Sequence, residues 1–115
     1  MNSQLDQAFD ISSGQIEEYQ TNGHILLRNV CPSSEIDYWR NEIVRASMIR
    51  NTETRPMNER DTYGKAFLQI MNLWLTDVSV KPFTLARRFA SVAAKLMGVE
   101  RVRLYHDQAL FKEAH

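Results

Sequence analysis

Few side chains in this sequence have the types and spacing that chemistry needs. There are three histidines, His24, His106 and His115, and a single cysteine, Cys31. A non-haem iron centre is held by two histidines and one carboxylate, and two ligands on an extended segment reach one ion when they occupy alternate positions. His106 and Asp107 are adjacent instead, so on a strand they project to opposite faces, and the alternate position is taken by Gln108. His115 is terminal. These residues predict no metal site. Cys31 closes an apolar run immediately before Pro32 and has no charged neighbour in sequence, so it reads as a small buried hydrophobe rather than a nucleophile. The glycines Gly14, Gly23, Gly64 and Gly98 are isolated, which leaves no phosphate-cradling loop, and there is no Gly-x-Ser-x-Gly elbow for serine-hydrolase chemistry.

The remaining polar candidates must be positioned by a framework, and its size is bounded. A chain of 115 residues buries one core but not two. Fourteen acidic and fourteen basic residues cancel, so the electropositive surface that nucleic-acid binding requires is not expected. The densest basic cluster, Arg87, Arg88, Lys95, Arg101 and Arg103, reads as a solvated helix face. One cysteine cannot form an internal disulfide, and no leader-like segment opens the chain, so a reducing, cytoplasmic setting is expected. The longest apolar run, residues 67–75, is interrupted by Gln69 and Asn72 and falls far short of the ~20 residues that span a membrane.

Periodicity and punctuation predict an α+β chain. Residues 1–12 are polar and expected to be flexible, and residues 13–115 form the domain. Ser12 or Ser13 offers an N-cap for a first helix that stops at Asn22-Gly23. Residues 24–30 (HILLRNV) suit a buried strand. Pro32-Ser33-Ser34-Glu35 starts a helix reaching about Arg50, with Ile36, Trp39, Ile43 and Ala46 or Ser47 on its inner face. Residues 51–61 carry Pro56 and have no period, which marks a loop of the kind that forms lids. Residues 67–75 (FLQIMNLWL) are ambiguous between strand and helix. A helix from about Asp77 ends at Gly98, with Pro82 in its first turns, and residues 100–112 alternate as a strand. Trp39 and Trp74 read as core anchors.

The stretch Arg103-Leu-Tyr-His-Asp-Gln-Ala-Leu-Phe-Lys112 resembles the strand that precedes the His-x-Asp motif in the phytanoyl-CoA dioxygenase family of iron(II)- and 2-oxoglutarate-dependent oxygenases. Ile16, Tyr19, Asn22-Gly23 and residues 24–30 resemble the family's opening, where a helix ending Tyr-x-x-Asn-Gly leads into a first apolar strand. Residues 67–74, followed by a helix rich in small residues, resemble its central stretch. The likeness runs from about Ile16 to Lys112 and implies the helices and first strands of a double-stranded β-helix (jelly-roll) oxygenase fold, which needs about eight strands where three or four can be found here.

The resemblance further implies that the parent protein uses iron(II) and 2-oxoglutarate to hydroxylate a small organic substrate, with the iron ligands downstream and this chain inactive by itself. Gln108 and Lys112 would then border the co-substrate, and Lys65, Gln69 and Asn72 the substrate, while no metal ligand is assigned. Two other readings stay open: an interaction module whose exposed last strand pairs with a partner chain, and a degenerate oxygenase-like protein without ligands. An isolated chain with uncovered apolar faces is expected to be only marginally stable or to self-associate.

Overall fold

The computed structural model describes residues 4–114, so His115 falls outside the described residues. The first helix, α1 (Ser13–Asn22), is closed by a capping box: the Ser12 hydroxyl accepts from the Gln15 amide, and the Gln15 side chain accepts from the Ser12 amide. Gly23, at φ 77°, ends it in the left-handed conformation that costs glycine no steric penalty. The long helix α2 (Ser33–Arg50) starts directly after Pro32. Next come a 3-10 turn at Met57–Glu59, a short helix α3 (Thr62–Ala66) capped by the Asp61 carboxylate, and strand β1 (Leu68–Met71). Two more short helices, α4 (Leu73–Thr76) and α5 (Lys81–Thr84), lead to α6 (Arg87–Met97) and finally to strand β2 (Gln108–Phe111).

The architecture is α+β. Its sheet is a two-stranded antiparallel ribbon in which Leu68 pairs with Phe111 and Met71 with Gln108. Leu68 and Ile70 are buried with Ala46, Leu73 and Val80, and Ala109 and Phe111 pack against them. A second cluster joins Leu5, Trp39 and Ala86 with Phe83 and Phe89, and Ile43 of α2 touches both. Among the described residues, no helix is long and apolar enough to cross a membrane.

Several expectations change. Residues 24–30 form no strand: Asn29 sits at φ 59°, Leu26 stays 72% exposed, and the Val30 carbonyl accepts from Arg88 rather than from a neighbouring strand. The strand expected over residues 100–112 is confined to Gln108–Phe111, because its partner ends at Met71, where Asn72 turns the chain at φ 58° into α4. Residues 67–75 thus hold both strand and helix. The helix expected from Asp77 begins only at Lys81 and is interrupted after Thr84, where Ala86, buried in the second cluster, has an extended backbone.

Part of the N-terminal segment, expected to be flexible, is held against the fold around Leu5. Gln4–Asp6 form a 3-10 turn, Leu5 is 1% exposed, and the carbonyls of Gln4 and Gln7 both accept from Arg88. Arg88 is accordingly no member of a solvated face: it is 6% exposed and ion-paired with the buried Glu35 at 2.9 Å. Its burial rests on partners far away in sequence, Glu35 and the carbonyls of Gln4, Gln7 and Val30, which helical spacing does not reveal.

Candidate functional site

The ribbon has an inner and an outer face, and strand alternation assigns the candidates to them. Leu68 and Ile70 point into the core, which sends Gln69 and Met71 outward; Ala109 and Phe111 point inward, which sends Gln108 and Leu110 outward. Register then puts Gln69 opposite Leu110 and diagonal to Gln108. Lys112, exposed just past the end of β2, continues the same alternation. Three of the five sequence candidates, Gln69, Gln108 and Lys112, therefore share one exposed face.

Tyr63 completes this group. It stands on α3 with its ring 5.6 Å from that of Phe67, and its hydroxyl accepts from Gln108 Nε2 at 3.3 Å. Tyr63 and Gln69 also line a cleft of about 240 Å³ with Glu53, Arg55 and Asp61 from the preceding loop. Arg55 forks onto Glu53, with Nη2 to Oε2 at 2.8 Å and Nε to Oε1 at 3.0 Å. That side-chain bond, reinforced by the Arg55 amide, holds the Glu53 carboxyl down to about 2. The loop of residues 51–61 thus borders a polar cleft at the ribbon's outer face, where the sequence suggested a lid. Sequence reasoning missed Arg55 and Tyr63, since neither lies on a periodic segment and only the turn of α3 brings them to the ribbon.

The other two candidates do other work. Lys65 is exposed on α3 and lies outside the cleft. Asn72 serves the backbone: it takes the left-handed conformation before α4, and its amide donates to the Asp107 carbonyl at 3.0 Å.

Asp107 is committed too. One carboxylate oxygen accepts from the Leu73 amide at 2.9 Å, and the other from the Trp74 amide at 3.1 Å and the Thr84 hydroxyl at 3.0 Å. It fastens β2 to the first turn of α4. His106 is exposed, with its ring against Tyr105 at 4.8 Å. Among the described residues no three His, Cys, Asp or Glu side chains are grouped to hold a metal ion, and the donor set here does not fit an iron centre.

Cys31, taken as a buried hydrophobe, is half-buried beside the second cluster with Sγ 3.9 Å from Arg88 Nη1, a cationic neighbour that only the tertiary structure supplies. Of the two tryptophans, Trp39 is a core residue, while Trp74 is half-buried. Compared with known proteins, the chain matches no family model, no curated protein and no solved structure.

Proposed function

We propose that the chain is the front part of an iron(II)- and 2-oxoglutarate-dependent dioxygenase domain acting on a small organic substrate, and that the ribbon's outer face forms one wall of its pocket. The observation that carries this reading is the gathering of Gln69, Gln108 and Lys112 on one exposed face beside the Tyr63 cleft. The sequence resemblance implies a place beside the co-substrate for Gln108 and Lys112 and beside the substrate for Gln69.

The chemistry of that wall is recognition of a carboxylate. With one Nε2 hydrogen engaged by Tyr63, Gln108 retains a second N–H and a carbonyl oxygen for a ligand. Gln69 on the diagonal adds another amide, and Lys112 adds a cation whose attraction for a carboxylate grows as water is excluded. Met71 and Leu110, exposed between them, supply apolar surface for carbon atoms. Iron would, in this reading, be held by residues other than those described and would supply the oxidising chemistry.

The test is turnover of 2-oxoglutarate by the product of the longest open reading frame that contains this sequence. Iron-dependent release of succinate is expected, and Gln108→Ala should raise the KM for 2-oxoglutarate roughly tenfold, the equivalent of one lost hydrogen bond to a charged group. The 115-residue chain by itself should bind neither iron(II) nor 2-oxoglutarate in calorimetry. A longer product that is folded yet neither binds nor decarboxylates 2-oxoglutarate would sink the proposal.

A further inference from the structure

Between α6 and the segment that leads into β2 runs a groove of about 730 Å³, the most capacious of the clefts described for this chain. One wall is apolar: Phe89, Ala93 and Met97, spaced by four residues, form a single stripe of α6. The other wall is residues 101–105, all five consecutive residues of which line the groove. A strand that faced the groove with one side would contribute only every second residue, so it is the main-chain edge that forms this wall.

That edge is unoccupied among the described residues. No main-chain amide or carbonyl of residues 100–106 has a hydrogen-bond partner there, although Arg101 to Tyr105 alternate between exposed and half-buried with the two-residue period of a strand. Val102 and Leu104 turn inward, and Arg101 and Arg103 outward. Neither arginine makes an ion pair or hydrogen bond among the described residues, and no acidic side chain lines the groove. Apolar surface lies open at the same place, with Met97, Val99 and Tyr105 exposed, the last by 90%.

We propose that residues 101–105 are a docking edge for an extended peptide segment in which acidic and apolar residues alternate. The occupant would pair with the free main-chain groups as an added strand. Its apolar side chains would lie on Phe89, Ala93 and Met97, and its carboxylates would stand across from Arg101 and Arg103 as opposite-charge cross-strand pairs. The edge belongs to a surface other than the Gln69–Gln108 face, so this inference does not depend on the oxygenase reading.

The experiment titrates the intact chain with two blocked peptides, one alternating Glu and Val and the other Lys and Val, by fluorescence anisotropy. The Glu peptide should bind, the Lys peptide should not, and added salt should weaken the complex because the pairs are exposed. Arg101→Glu combined with Arg103→Glu should reverse the preference, with at least a roughly tenfold loss for the Glu peptide. N-methylation of alternate amides on the Glu peptide leaves the protein untouched and should abolish binding. The proposal is overturned if neither peptide binds, if both bind alike, or if the N-methylated peptide binds as well as its parent. It also fails if the chain itself dimerises through this edge, as Val102→Pro, which removes one edge amide, would reveal by restoring a monomer.

Discussion

At the scale of single residues, the strongest constraint is the Arg88 guanidinium. It binds Glu35 and the carbonyls of Gln4, Gln7 and Val30, so one buried cation ties α2, α6, the N-terminal segment and the loop before α2 together. Glu35 is 1% exposed, and its second carboxylate oxygen has no partner among the described residues. Removing Arg88 leaves that carboxylate buried and unpaired, so Arg88→Met should lower stability by about 3–5 kcal/mol in urea denaturation, whereas Arg88→Met together with Glu35→Leu should recover much of the loss. Asp77 offers a prediction in pH. Burial opposes its ionisation, but the Arg45 guanidinium at 3.3 Å and the Ser79 amide outweigh that cost and hold its carboxyl below the usual range. A depressed folded-state pKa contributes stability above the unfolded value near 4 and loses it as pH falls through the folded value. The urea midpoint should therefore drop as pH is lowered from about 4. Glu53 titrates in the same acid range, and Asp77→Asn, by flattening the part of the profile due to Asp77 alone, separates the two.

At the scale of elements, short pieces persist because specific groups close their ends. Helix α4 is four residues long, below what helix propensity sustains alone, and its first amides are satisfied from a distance by Asp107. Asp107→Ala should cost about 1–3 kcal/mol by orphaning those amides and the Thr84 hydroxyl, and should lower the melting temperature measured by circular dichroism. If Asp107 were a metal ligand instead, the same substitution would leave the melting temperature of the metal-free chain unchanged. Gly98 ends α6 at φ 71°, with its amide bonded to the last turn, so Gly98→Ala should destabilise by about 1–2 kcal/mol although a methyl group there meets only Gln20 Nε2, at 3.9 Å.

At the scale of the molecule, the chain is more spread out than its length requires. A compact domain of this size has a radius of gyration of roughly 13 Å, against 16.4 Å here, with principal extents of 48 × 34 × 25 Å. Apolar side chains remain exposed at Leu26, Leu75, Val78 and Tyr105, and at Met71 and Leu110 on the ribbon. Small-angle scattering of a dilute sample should return a value near 16.4 Å, and a value near 13 Å would mean that the ribbon and α6 collapse onto one another. At higher concentration the ribbon's open apolar residues, Met71 and Leu110, should drive self-association, read as a rising mass in light scattering.

The sequence by itself determined what depends on neighbours along the chain. An N-cap at Ser12 or Ser13 and the Asn22-Gly23 stop bounded α1, Pro32-Ser33 opened α2, Gly98 closed α6, and the alternation around Gln108 placed it on the face opposite Ala109 and Phe111. These are effects of caps, turns and side-chain period, which act over a few residues. Tertiary structure alone decided where strands begin and end, because a strand exists only where another supplies its ladder: residues 24–30 and 100–106 have strand-like composition but find no such partner, while residues 68–71 and 108–111 find each other. It also decided that Arg88 is buried rather than solvated, that Asp107 caps a helix lying 34 residues earlier in sequence, and that Tyr63 meets Gln108. Each of these depends on charges and hydrogen bonds between residues far apart in the chain, whose satisfaction no local pattern encodes.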